Sequence, residues 1–203
     1  MNKTRLENLT DGVFAIVMTL LVIEIRVPET QGPLLESLRE LTPLFVSYFL
    51  SFAVLSAFWL SHHGFFHLLI KSINRQLIQL NILYLSFVSL IPFSAHVLGS
   101  HPYDQVAVMW YGVNIILVVT ALLIMLIYAI RSPEVENEHV GKRLYWQAGI
   151  RNGLTLSMAL LGIAVSYHST HLAIFLYLIP TIFNAIPNSL NFLLRILRIR
   201  LPE

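Results

Sequence analysis

Hydrophobic residues in this chain do not alternate with polar ones; they run in long blocks separated by short polar links. Six blocks are legible: Leu6–Ile25, Leu41–Ser61, Leu77–Val97, Val106–Ile130, Gly153–Tyr167 and His171–Leu193. A helix needs about 20 apolar residues to cross a bilayer, and each block is near or just below that length. The pattern therefore predicts six transmembrane helices. The fifth block is the weakest, and its helix is expected to start earlier, near Tyr145. Among the links, Arg26–Glu40 carries Pro28, Gly32 and Pro33 as helix breakers. No link is long enough for a separate unit. The expected fold is one all-α integral membrane domain over residues 1–203.

Composition strengthens that class. Of the 203 residues, 56% are hydrophobic and only 12% charged, with a mean hydropathy of +0.71. A soluble domain carries about 25% charged residues, so the deficit points to the membrane. The net charge of +2 and pI near 9.0 do not indicate nucleic acid, because the basic residues are scattered among apolar runs. There is no cysteine, which excludes disulfides, thiolate metal sites and cysteine nucleophiles. Glu7 and Asp11 interrupt the N-terminal region, and no small-residue cleavage site follows it. No cleavable signal peptide is expected.

Charge placement orients the chain. With the N-terminus inside, Lys3, Arg5, Lys71, Arg75, Arg131, Lys142, Arg143, Arg151, Arg195, Arg198 and Arg200 fall at cytoplasmic ends and loops. Only Arg26 and Arg39 fall outside, leaving 11 of the 13 basic residues in the cytoplasm, as the positive-inside rule asks. Six crossings then place both termini in the cytoplasm. The first external loop is acidic, with Glu24, Glu29, Glu36 and Glu40. Such a loop either concentrates cations near an outer mouth or is solvated loop charge. Trp59, Trp110 and Trp146 lie near segment ends, as in an interfacial aromatic belt. Pro92, Pro180 and Pro187 are expected to kink or end helices, and Ser47, Ser51 and Ala57 suggest close helix packing.

The candidate chemistry starts in the first block. Gly12 to Ile23 is uncharged, yet Arg5, Glu7, Asn8 and Asp11 fill the turns before it. A carboxylate one turn inside a membrane helix is costly unless it faces protein or water. At 100° per residue, Gly12, Ile16, Thr19, Leu20 and Ile23 share one face, and Asp11 lies about 140° from Ile16. Asp11 therefore points towards neighbouring helices. Trp59, His62 and His63 end the second block and Asn81 begins the third, so all fall at Asp11's depth. Indole, imidazole and amide N–H groups are the donors that a buried carboxylate needs. These residues are expected to form an interhelical polar network that sets the tilt and rotation of helix 1, completed by Arg5. A proton relay is the alternative role for buried Asp and His.

Three stretches then resemble one family. Arg5-x-x-x-Leu9-Thr10-Asp11-Gly12-Val13-Phe14-Ala15-Ile16 is similar to the Arg-x-x-x-Phe-Ser-Asp start of the lysosomal potassium channel family (transmembrane protein 175) and its bacterial relatives. Phe58-Trp59-Leu60-Ser61-His62-His63 looks like the family's Trp-x-x-His segment. Leu80-Asn81-Ile82-Leu83-Tyr84-Leu85 with Leu90-Ile91-Pro92-Phe93-Ser94 looks like its third helix. The blocks after these agree only in number and hydrophobicity. Leu9 and Thr10 replace the commoner Phe and Ser, which are conservative departures.

The resemblance implies a homotetramer of six-helix subunits in which four copies of helix 1 line a central pore. The sequence contains no Thr-Val-Gly-Tyr-Gly filter, and the family uses none. The family's hydrophobic constriction falls on Ile16 and the polar layer implicated in potassium preference on Thr19. Leu20 and a further apolar ring at Ile23 complete the constriction. The Arg/Ser/Asp cluster and its partners map onto Arg5, Thr10, Asp11, Trp59, His63 and Asn81, in a packing role. The expected function is a potassium-preferring cation channel of a bacterial plasma membrane. It is expected to be no enzyme and to need no cofactor or metal. Potassium is the permeant ion, and the partners are copies of itself, lipid and monovalent cations. Two rival readings draw on the same residues. One is a proton-coupled cation transporter using Asp11 and the histidines. The other is a haem or metal enzyme built on His62, His63 and His67, with His96 or His101 placed across the membrane from them.

Overall fold

The computed structural model describes residues 2–26, 33–136, 141–186 and 189–196. Pro28, Glu29, Gly32, Pro187, Arg198 and Arg200, named above, lie outside the described residues. The first helix, α1, spans Lys3–Ile23 and is followed by the short α2 (Leu34–Glu40) and by α3 (Thr42–Gly64). A π-helical turn, Phe65–Leu69, extends α3. Then come α4 (Arg75–Val88), α5 (Ile91–Ser100), α6 (Gln105–Arg131), α7 (Lys142–Ser166), α8 (Thr170–Ala185) and α9 (Ser189–Ile196).

Local signals explain where these helices start. The side chains of Asn2, Asn74, Asp104 and Ser169 accept hydrogen bonds from first-turn N–H groups of α1, α4, α6 and α8, donors that otherwise have no intrahelical partner. Thr42–Leu69, Arg75–Ser100, Gln105–Arg131, Lys142–Ser166 and α1 are each long and apolar enough to cross a membrane. Helices α8 and α9 meet that test only together, and they are bent by 102° at their junction.

Three differences from the sequence reading have physical causes, and one expectation holds. The third block is two helices, because Pro92 has no N–H to offer the carbonyl of Val88; α4 ends there and α5 starts at Ile91. The fifth helix starts at Lys142, ahead of its apolar block and close to the expected Tyr145. Gln147, Arg151 and Asn152 lower its hydropathy without interrupting its backbone. The sixth block is broken after Ala185, whereas Pro180 lies inside α8 and ends nothing. Half of the polar link Arg26–Glu40 folds as α2 directly after Pro33.

Helix α6 packs against α4, α5, α7 and α8, and α1 packs against α3, α4 and α5. Small residues set the closest approaches. Ser47 Oγ donates to Ala95 O across α3 and α5 at 2.6 Å, and Ser51 Oγ lies 3.0 Å from the hydroxyl of buried Tyr111. Gly112 on α6 and Gly162 on α7 both face Tyr177 of α8, and a Cβ at either would overlap its ring or hydroxyl. Tyr177 in turn donates to Val108 O at 3.1 Å. Gly162→Ala should therefore destabilise the protein by about 1–3 kcal/mol through overpacking. Gly153→Ala, whose Cβ meets nothing within 4 Å, should be neutral or slightly stabilising. Thermal unfolding in detergent, followed by loss of the monodisperse chromatographic peak, ranks the two.

Candidate functional site

The site is built on α1, whose two faces have opposite fates. Leu6, Thr10, Phe14, Val17 and Leu21 recur every three or four residues and are buried. Phe14 lies against Tyr84 of α4 with ring centroids 6.2 Å apart. Gly12, Ile16, Thr19, Leu20 and Ile23 are exposed: Ile16 keeps 60% of its surface accessible and Ile23 56%, whereas Val17 keeps 3%. One step of 100° separates the first of these from the last.

Thr19 has a specific geometry on the uncovered face. Its hydroxyl donates to Ile16 O at 2.8 Å within the helix. Its proton is thereby committed to the backbone, so the oxygen lone pairs are what it presents outwards.

Behind this face runs a directed chain of hydrogen bonds. Thr10 Oγ1 donates to Leu6 O at 3.0 Å, and Asn81 Nδ2 donates to Thr10 Oγ1 at 3.1 Å. His62 Nε2 lies 2.7 Å from Asn81 Oδ1. Since Asn81 Oδ1 is an acceptor, the arrangement requires His62 to carry its proton on Nε2. Thr10, Asn81 and His62 are all buried. The His62 imidazole is stacked between Phe66, at 4.5 Å, and Tyr84, at 5.2 Å, and Tyr84 donates its hydroxyl to Phe58 O at 3.2 Å.

A second cluster lies beside it and is more open. Trp59 Nε1 donates to Asp11 Oδ1 at 2.8 Å, Trp59 stacks on His63 at 5.4 Å, and His63 stacks on His67 at 5.7 Å. The six residues expected to share one network are thus divided. Thr10 and Asn81 belong to the buried chain, and Asp11, Trp59 and His63 to the exposed cluster. Arg5 is exposed, and its backbone N–H donates to Asn2 Oδ1 at 3.0 Å, which caps the helix and ties the Arg5 side chain to neither cluster. His62, one step around α3 from His63, makes the imidazole hydrogen bond to Asn81. The spacing of Trp59 and His62, matching Trp-x-x-His, was the signal that pointed to it. With His62 turned to Asn81 and His63 to Trp59, the histidines of α3 diverge. Among the described residues, no three His, Asp or Glu side chains gather at metal-ligand spacing.

Residues 5–92, which hold every residue of this site, match the family of the endosomal/lysosomal potassium channel TMEM175. A potassium channel of Chryseobacterium sp. (strain P1-3) is 31% identical over 188 residues, covering 93% of this chain and 95% of that protein. The chain belongs to the TMEM175 family. Its architecture agrees with the crystal structure of a lysosomal potassium-selective channel TMEM175 homologue from Chamaesiphon minutus, with a TM-score of 0.80. That match has 26% sequence identity and covers 90% of this chain and 96% of the other. The endosomal/lysosomal proton channel TMEM175 of Gallus gallus is 38% identical over 104 residues, which cover 46% of this chain and 21% of that much longer protein. As a member of the TMEM175 family with several apolar helices, the chain is an integral membrane protein.

The geometry ranks the polar contacts. Asn81→Ala leaves the His62 N–H without its acceptor in an apolar interior, a loss of about 1–3 kcal/mol, and removes the donor to Thr10, whose own proton stays on Leu6 O. Asp11→Asn changes an exposed group that water also serves, so it should cost less. Yields of assembled protein and thermal midpoints compare the variants directly. A greater loss in Asp11→Asn than in Asn81→Ala would show that the Trp59–Asp11 contact, not the buried chain, holds α1.

Proposed function

We propose that this protein is a potassium-preferring cation channel, one domain of six membrane crossings per chain. Four copies assemble around a pore lined by α1. The observation that carries this reading is the uncovered Ile16–Thr19–Ile23 face of a helix whose opposite face is fully packed. In four-fold symmetry that face has copies of itself to meet. The names of the bacterial relatives, potassium channels, support the choice of ion. In the same reading both termini are cytoplasmic, the membrane is a bacterial plasma membrane and no cofactor takes part.

Four Ile16 side chains, β-branched and stiff, form an apolar ring at one level of the axis. Leu20 and Ile23 continue the apolar lining towards the outer end. A ring of this kind closes by excluding water, because an ion cannot pass without its hydration or a substitute for it. Thr19 supplies that substitute: four hydroxyl oxygens, each with its proton already donated to Ile16 O, meet a partly dehydrated cation with lone pairs. Potassium loses its water more readily than sodium, so such a layer favours potassium without a cage of backbone carbonyls. Asp11, Trp59 and His63 serve packing.

Potassium and sodium flux through purified protein in liposomes, with reversal potentials, tests the reading. Failure of the wild type to pass either ion would end it. Proton flux belongs in the same experiment, since the vertebrate relatives are named proton channels. Ile16→Asn should wet the ring and raise the leak on the order of tenfold, equivalent to about 1.4 kcal/mol off the barrier. Ile16→Met should change it less. Val17→Asn, buried one step around the helix, should lower assembly without opening the pore. Thr19→Val keeps the shape and removes the oxygen, so the potassium-to-sodium permeability ratio should fall in a pore that still conducts. An unchanged ratio would remove Thr19 from the selectivity layer.

A further inference from the structure

Arg151 stands on α7 inside the membrane-crossing stretch Lys142–Ser166, and an ionisable group there asks for a partner. Its Nη1 donates to Asn184 Oδ1 at 3.1 Å, and the guanidinium lies 5.8 Å from the ring centre of Phe183. Both neighbours are neutral. They orient the cation, and among the described residues no carboxylate compensates its charge. Beside it opens a cavity of about 420 Å³ between α3, α6, α7 and the end of α8, of the size that holds small ligands. Among the described residues, none that lines it is acidic. Gln147, Asn152 and Ser61 bring polar groups to the Arg151 side, and Leu60, Leu68 and Leu144 form apolar walls. Those three leucines are themselves exposed, so the cavity is continuous with the surface that faces the bilayer.

We propose that this cavity is a binding site for one anionic phospholipid, its phosphate held by Arg151 and an acyl chain lying along the leucine walls. Charge complementarity carries the choice: the site offers one oriented, unneutralised guanidinium at the head of an apolar slot. Depth agrees, using the orientation proposed above. Arg151 is nine residues from the start of α7, about 13 Å along its axis. Side chains on a helix lean towards its N-terminus, here the cytoplasmic side. The guanidinium thus reaches up towards the inner headgroups, and a basic pocket between helices on that side is a recognised form of anionic-lipid site. Lys71, Arg75, Arg131, Lys142 and Arg143 sit at the same end of the helices, and add attraction for an anionic leaflet.

The test is lipid retention on intact protein, read by mass spectrometry under non-denaturing conditions after titration with phosphatidylglycerol or phosphatidylcholine of matched chains. Retention does not depend on ion flux, so its outcome is separate from that of the channel assay. The wild type should retain phosphatidylglycerol in preference to phosphatidylcholine, and inorganic phosphate alone should not displace it. Arg151→Gln should weaken retention about tenfold, the expected loss of a charge-assisted hydrogen bond, and Arg143→Gln, outside the cavity, should not. Leu144→Trp, which fills the mouth and leaves the charge in place, should also lower retention, and it serves if Arg151→Gln does not assemble. Equal retention of the two lipids, or full retention in both Arg151→Gln and Leu144→Trp, would overturn the site. Displacement by phosphate alone would make it a free-anion site instead.

Discussion

Polar groups buried among apolar helices have only one another to bond, and Thr10, Asn81 and His62 meet that constraint together. Each donor in the chain has one acceptor, ending at a backbone carbonyl of α1. Such a chain is directional, and its bonds reinforce one another in a low-dielectric interior. It also fixes a rotation, because only one setting of α1 brings Thr10 to Asn81. Every exposed residue of α1 follows from that setting.

The two threonines of α1 show the consequence. They are nine residues apart, which at 100° per residue places them on opposite sides of the helix. Both donate their hydroxyl proton to their own helix, Thr10 to Leu6 O and Thr19 to Ile16 O. The lone pairs left over then do different things: those of Thr10 accept from Asn81, and those of Thr19 face outwards. In the proposed channel the phase of one helix separates a structural hydroxyl from one that meets the ion. A single step of rotation would replace Ile16 by Val17 on the uncovered face, and would break the Asn81 contact in doing so.

Much of this was legible in the residues, because the signals were periodic or chemically distinctive. Uninterrupted apolar blocks located the helices, and the 100° phase of α1 separated Ile16 from Asp11. The common depth of Asp11, Trp59 and Asn81 brought helices 1, 3 and 4 of the structure together. What escaped was decided by tertiary fit. Adjacent histidines look alike in sequence, and only the packing of Phe66 and Tyr84 around one ring shows that His62, not His63, bonds to Asn81. The π-helical turn at Phe65–Leu69 has no periodic signature. Arg151 read as one more cytoplasmic charge, because neither its neutral partner on α8 nor the cavity beside it exists in one dimension.

The polar ties of α1 are also unevenly spread along its length. Near its start, Lys3 Nζ donates to Ile70 O at 2.9 Å, and Thr10 and Asp11 are held by α4 and α3. Just past its end, Glu24 lies 3.4 Å from His96 Nδ1 of α5. Between Gly12 and Ile23, among the described residues, the only side-chain hydrogen bond is that of Thr19 to its own backbone. Phe14, Val17 and Leu21 hold this stretch by apolar contact alone. Such contacts are individually weak and non-directional but collectively large, so this stretch is held by the fit of packed side chains, whereas Thr10 is held by a defined polar partner. In the proposed channel, Ile16, Thr19 and Ile23 therefore lie on the part of α1 that has no side-chain hydrogen bond to another helix among the described residues. A gate proposed at Ile16 would then widen against apolar packing, with no interhelical hydrogen bond of its own stretch to break.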